Sequence, residues 1–180
     1  MAKVSIIGTG TWGIALGMVL AQNGHEVTAW SALPKEIEAL KESYKCKNLP
    51  GVEIPRSIVF TADLQEACTD KEMLVLSVPS VFTRGVAKQM NPFIKEGQLI
   101  VSVAKGIEEK TLMTMSQQIE QELPMANVAV LSGPSHAEEV SRGIPTTVVV
   151  GAKDRQTAEH IQNLFMSSVF RVYTSPDILG

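Results

Sequence analysis

Six residues near the N-terminus, Gly8-Thr9-Gly10-Thr11-Trp12-Gly13, limit most strongly what this chain can fold into. They follow the apolar run Val4 to Ile7, which reads as a buried strand. They open a stretch from about Trp12 to Gln22 whose apolar positions Ile14, Leu16, Val19 and Leu20 fit a helix and not period-two alternation. A GxGxxG spacing alone is a weak signal, because glycines punctuate many turns. Between a strand and a helix it acquires a mechanism. Gly8 makes the tight turn, Gly10 lets backbone approach a pyrophosphate with no Cβ in the way, and Gly13 lets the helix pack closely on the sheet. The helix then offers unpaired N–H groups and its positive dipole end to the phosphates.

Short apolar runs and helical patterns alternate along most of the 180 residues. Further strands are expected at Val27 to Trp30, Val59-Phe60, Met73 to Val78, Leu99 to Val103, Val128 to Leu131, Thr146 to Val150 and Phe170 to Tyr173. Helices are expected at Lys35 to Ser43, Leu64 to Ala67, Val81 to Met90 and Thr111 to Leu123, and around Ala158, Ile161, Leu164 and Phe165. In the Thr111 to Leu123 stretch, Leu112, Met115, Ile119 and Leu123 recur at helical spacing and are read as core. Asn48-Leu49-Pro50-Gly51 and Pro55 break the pattern into a loop. The expected fold is α/β, a Rossmann-type doubly wound and mostly parallel sheet with helices on both faces, making one dinucleotide-binding domain over residues 1–180. Less helix separates the last three strands, which are candidates to join the sheet antiparallel.

The charge balance, 16 Lys and Arg against 19 Asp and Glu, leaves no electrostatic footprint for nucleic acid or an anionic membrane. Cys46 and Cys68 belong to no CxxC or Cys/His cluster, so no metal site is expected. Two free thiols fit a reducing cytosol. The N-terminus enters a strand at once, and Gly8, Gly10 and Gly13 break the apolar stretch, which is unlike a signal peptide or a membrane span. A cytoplasmic location without membrane partners is the expectation.

Three more segments fall at or just past predicted strand ends, where open α/β sheets bind ligands. They are Val78-Pro79-Ser80 with Phe82, Ala104-Lys105-Gly106, and Ser132-Gly133-Pro134-Ser135-His136-Ala137-Glu138. Lys105, directly after an apolar run, is either a partly desolvated lysine that polarises a carbonyl or binds an anion, or a surface lysine. Ser135 is either a ligand-facing hydroxyl or a helix N-cap. His136 is either a general acid or structural. The second strand ends Trp30-Ser31-Ala32-Leu33, with no acid for ribose hydroxyls and no arginine for a 2′-phosphate. Ser31 accommodates either ribose, so weak discrimination between NADH and NADPH is expected.

Taken in order, the glycine turn, Leu49-Pro50-Gly51, Val78-Pro79-Ser80, Lys105-Gly106-Ile107-Glu108, Ser132-Gly133-Pro134-Ser135, and Phe170-Arg171-Val172-Tyr173 with Pro176-Asp177 form a specific set. The set resembles the N-terminal cofactor-binding domain of bacterial NAD(P)-dependent glycerol-3-phosphate dehydrogenases over the whole chain. That resemblance implies an oxidoreductase interconverting dihydroxyacetone phosphate and sn-glycerol 3-phosphate with NAD or NADP, for glycerophospholipid synthesis. It adds Thr11, Trp12, Phe82, Lys105 and Ala137 to Gly8, Gly10 and Gly13 as cofactor-binding residues, and gives Lys105, Gly133 and Ser135 to the substrate. It argues against His136 as an acid, because the family often places an aromatic residue there. It also implies a helical second domain beyond Gly180 that carries the catalytic lysine and most of the phosphate site. No catalytic residue is then expected within these 180 residues, which alone would be inactive, and the full-length protein has room to be a homodimer. The family's Arg or His near the position of Ala32 is missing, which argues against strong NADPH preference. Competing readings are a stand-alone dinucleotide-binding or sensing module, and another two-domain dehydrogenase acting on a β-hydroxyacid or ketopantoate.

Overall fold

The Val- and Ile-rich runs pair into one eight-stranded sheet, in a computed structural model that describes residues 1–179. The strands are β1 (Lys3–Ile7), β2 (Glu26–Trp30), β3 (Val59–Thr61), β4 (Met73–Leu76), β5 (Leu99–Ser102), β6 (Asn127–Ser132), β7 (Thr146–Gly151) and β8 (Phe170–Ser175). Their order is β3-β2-β1-β4-β5-β6-β7-β8. The first six run parallel, β7 is antiparallel to β6, and β8 is parallel to β7. The helices are α1 (Thr11–Gln22), α2 (Pro34–Ser43), α3 (Leu64–Cys68), α4 (Thr83–Met90), α5 (Met115–Glu122), α6 (Ala137–Ser141) and α7 (Arg155–Phe165).

Each central strand feeds two cores. From β4, Met73 and Val75 join the layer with α1, α2, α6 and α7, while Leu74 and Leu76 join the layer with α3, α4 and α5. All four are at most 1% exposed. A strand buried on both faces has no polar positions to alternate with, so it reads in the sequence as an unbroken apolar run. Burying each such side chain stabilises the fold by roughly 1.5–3 kcal/mol. From β1 the chain winds outward to β2 and β3, then returns to β4 on the other side of β1. That reversal opens a crevice beyond the carboxyl ends of β1 and β4.

Several element boundaries fall elsewhere than the sequence pattern predicts. β4 stops at Leu76, two residues before Val78; Ser77 still donates its N–H to Ile7 O at 2.9 Å, and its Oγ donates to the Gly8 carbonyl at 2.8 Å. The helix expected from Thr111 begins only at Met115, after Thr114, whose side chain closes a capping box with Gln117. Leu112, read as core, is 76% exposed and adopts φ 58° in the preceding turn. Val81 to Met90 is a short 3₁₀ turn (Ser80–Phe82) followed by α4. The N-cap of α6 is His136 and not Ser135. The antiparallel join expected late in the chain is found between β6 and β7, and β8, parallel to β7, also runs against the first six strands.

Both rims of the sheet are modest. β3 has three residues, and on β8 the Val172 carbonyl accepts a 2.6 Å hydrogen bond from Gln162 Nε2 of α7. Among the described residues no helix is long and apolar enough to cross a membrane.

The glycine turn is tight at both ends. Gly8 adopts φ +119°, a region that side chains rarely occupy. A Cβ on Gly13 would collide with the Gly8 carbonyl oxygen and Ser77 Oγ, whereas a Cβ on Gly10 would meet nothing within 4 Å. Gly13→Ala is therefore expected to lower stability by about 1–3 kcal/mol. Gly10→Ala should change it by less than about 0.5 kcal/mol. Urea midpoints by circular dichroism check the contrast, and equal midpoints would show slack where the geometry shows none.

Candidate functional site

The crevice at the sheet's reversal is a cleft of about 410 Å³. Gly10, Thr11 and Trp12 form one wall, Ser77 to Ser80 the floor, and Val103 to Lys105 with Ser135 to Ala137 the facing side. Gly10 is exposed and caps α1 without a side-chain hydrogen bond, and the first turn of α1 carries no acid. The leading N–H groups of a twelve-residue helix thus face open space. That arrangement suits an anion such as a pyrophosphate. Gly8 and Gly13 are buried beneath this surface and shape it without lining it. α6 packs on α1, which brings the buried Ala137 to the wall opposite Thr11 and Trp12.

Of its two readings, Lys105 takes the surface one. β5 ends at Ser102, so Lys105 stands three residues beyond the sheet and is exposed. Its Nζ donates to the Gly133 carbonyl at 3.0 Å, spanning the mouth of the cleft. Gly133 itself is wedged against β7, where a Cβ would lie 2.9 Å from the Thr147 carbonyl oxygen. Ser135 Oγ donates to the same Gly133 carbonyl at 3.4 Å, so the structure brings Lys105, Gly133 and Ser135 together. Phe82 is 60% exposed just outside the cleft. Leu49-Pro50-Gly51 lies elsewhere, with Leu49 in the core. Among the described residues no three His, Cys, Asp or Glu groups are placed to hold a metal ion. Cys68 is buried, which pushes its thiol up to about 12 and leaves it inert.

Residues 3–158 match the family described as the NAD-dependent glycerol-3-phosphate dehydrogenase N-terminus. The chain belongs to that family. It is 60% identical to the glycerol-3-phosphate dehydrogenase (NAD(P)+) of Agathobacter rectalis over 181 residues, covering 100% of this chain and 54% of that protein. It is 52% identical to the enzyme of the same description from Fusobacterium nucleatum, covering 100% of this chain and 55% of that protein. Its fold matches the crystal structure of glycerol-3-phosphate dehydrogenase from Coxiella burnetii with a TM-score of 0.91 at 27% identity, over 98% of this chain and 55% of that one. The chain spans about half the length of the curated relatives it matches.

In this member of the glycerol-3-phosphate dehydrogenase family, three features of the site escaped the sequence reading. Ser77, already noted, ties β4 to the glycine turn. Glu36, in the first turn of α2, accepts a 2.6 Å hydrogen bond from Ser31 Oγ at the end of β2. Arg84 of α4 clasps the loop after Lys105. Its guanidinium binds both carboxylate oxygens of Glu108 at 2.7 Å, and its Nη1 reaches Glu122 at 2.7 Å and Gln121 at 2.6 Å. Glu108 also accepts from the Thr111 hydroxyl. The partners of Arg84 lie 24 to 38 residues away, and no local pattern announces them. Gly106, beside Lys105, would place a Cβ 3.1 Å from that of Ser80, so the same loop also rests on the cleft floor.

Arg84, first, and Thr111 hold the Glu108 carboxyl down at about 2, below its ordinary 4.5. A depressed carboxylate stabilises the fold above its unfolded pKa and loses that contribution as pH falls through the folded one. The clasp should therefore be intact above pH 4.5 and open only as pH approaches 2. In Arg84→Ala the Glu108 carboxyl is expected to titrate higher than in the parent, while Thr111 still holds it below its ordinary value. The amides of Glu108 and Leu112, which bond Met113 O and Glu108 O, should then exchange faster than in the parent. Unchanged exchange and titration by NMR would mean that the loop holds itself.

Proposed function

We propose that these residues form the cofactor-binding domain of a glycerol-3-phosphate dehydrogenase. The protein would interconvert dihydroxyacetone phosphate and sn-glycerol 3-phosphate in the cytoplasm, for glycerophospholipid synthesis. The observation that carries the reading is the open face of Gly10 at the start of α1, across a cleft from Lys105 and Ser135. Bound there, NAD(P)H supplies the hydride. Gly10, Thr11 and Trp12 receive the pyrophosphate on backbone N–H groups, and Gly8 and Gly13 keep that turn in shape. Phe82 and Ala137 border the cofactor from the rim and from α6. The Lys105 ammonium, in reach of the Gly133 carbonyl, is free to exchange that neutral partner for an anionic or carbonyl oxygen of the substrate. Gly133 and Ser135 complete this edge of the substrate site.

Reduction of a ketone also needs a proton for the developing alkoxide and a clamp for the substrate phosphate. Both would come from a C-terminal part corresponding to the relatives' second half, including a principal lysine, with assembly as a homodimer there. Losing a general acid commonly costs about 10²–10⁴ in rate. The 180-residue chain is therefore expected to bind NADH yet oxidise it with dihydroxyacetone phosphate at least about 10²-fold more slowly than the full-length protein. Comparable rates would place the whole chemistry within these residues. Gly10→Val should abolish NADH binding by fluorescence titration while keeping the parent circular dichroism spectrum, and unchanged binding would move the nucleotide away from the glycine turn.

A further inference from the structure

The end of β2 carries no acid in sequence, but the fold returns one to it. Trp30, the last residue of β2, accepts the Gly8 N–H on its carbonyl at 2.9 Å, so this strand end and the glycine turn are joined directly. The next residue, Ser31, is 7% exposed, and its hydroxyl has two partners. It accepts the Leu33 N–H at 3.2 Å and donates to Glu36 Oε2 at 2.6 Å. Glu36, half-buried, is thereby held with its carboxylate over the strand end. A dinucleotide whose pyrophosphate lies on the glycine turn sets its adenosine ribose beside the end of the second strand.

We propose that Glu36, positioned by Ser31, is the residue that selects NADH over NADPH in this protein. The proposal rests on the dehydrogenase reading above and reverses the expectation of weak discrimination. One carboxylate oxygen is engaged by Ser31, and the other is left to accept from a ribose hydroxyl. A 2′-phosphate at that place would set a second anion against the carboxylate. The neighbouring exposed positions Ala32 and Leu33 offer it no donor side chain. Lys35 is exposed on the adjacent position of α2 and is the cation that competes with this reading. Arg56 is held over the Tyr44 ring, beyond the far end of α2, with 4.9 Å between its guanidinium carbon and the ring centroid.

A helix start alone would also gain from an acid in its first turn, so the test reads a quantity that helix stability does not move. Dissociation constants of NADH and NADPH are measured by calorimetry on the full-length protein, on Glu36→Gln and on Ser31→Ala. The parent should bind NADH roughly tenfold or more tightly than NADPH. Glu36→Gln should bring the two constants within about threefold, chiefly by tightening NADPH. Ser31→Ala keeps the carboxylate but frees it, and its ratio should fall between the other two. A parent that binds both nucleotides equally, or that prefers NADPH through Lys35, overturns the proposal and leaves the dehydrogenase reading standing. So does a ratio that neither variant changes. A protein that binds neither nucleotide overturns both.

Discussion

The glycine turn and the end of β4 are locked together by a single serine, and the geometry of the site follows from that contact. Ser77 donates its backbone N–H to Ile7 O at 2.9 Å and its Oγ to Gly8 O at 2.8 Å. The hydroxyl therefore occupies the space that a side chain on Gly13 would need. The first turn of α1 is pressed onto the sheet at the point where the strand order reverses. Because the carbonyl of Gly8 is satisfied inward, the N–H groups beyond it are free to face outward. A buried polar group that is fully partnered specifies one arrangement, and this one sets both the floor of the cleft and the aim of the helix.

Above that floor, the cleft is completed by loops that hold one another. Lys105 reaches Gly133 across the opening, Gly106 rests on Ser80, and Arg84 anchors the segment that follows. None of these contacts lies within one secondary-structure element. The rim is assembled from pairs of residues distant in sequence, on strands that the two hydrophobic layers hold rigidly.

This division explains what could be read from residues alone. The strands of the doubly buried sheet were legible because burial on both faces leaves an apolar run, as in Met73 to Leu76. The glycine turn was legible because its three positions answer separate local demands. Leu112 misled because its spacing to Met115 mimics a helix, although Thr114 and Gln117 mark the true start three residues later. Lys105 stayed open between two readings because the apolar run does not reveal that the strand ends before it. Arg84 acts over distances in the chain that no window of periodicity covers. The Ser31 to Glu36 contact spans only five residues, yet it needs the turn between them to fold back.

The rims of the sheet bear on how the molecule behaves at high concentration. An exposed strand edge is a template for another chain, and parallel sheets that form slowly display such edges while folding. Here β3 is too short, at three residues, to seed a long ladder. On β8, Gln162 already occupies one acceptor of the backbone, and Arg171 stands exposed on the strand. Templated growth from either side would have to displace a hydrogen bond, bury a charge or stop after a few residues. The same small features that finish the sheet therefore guard the protein against aggregating through it.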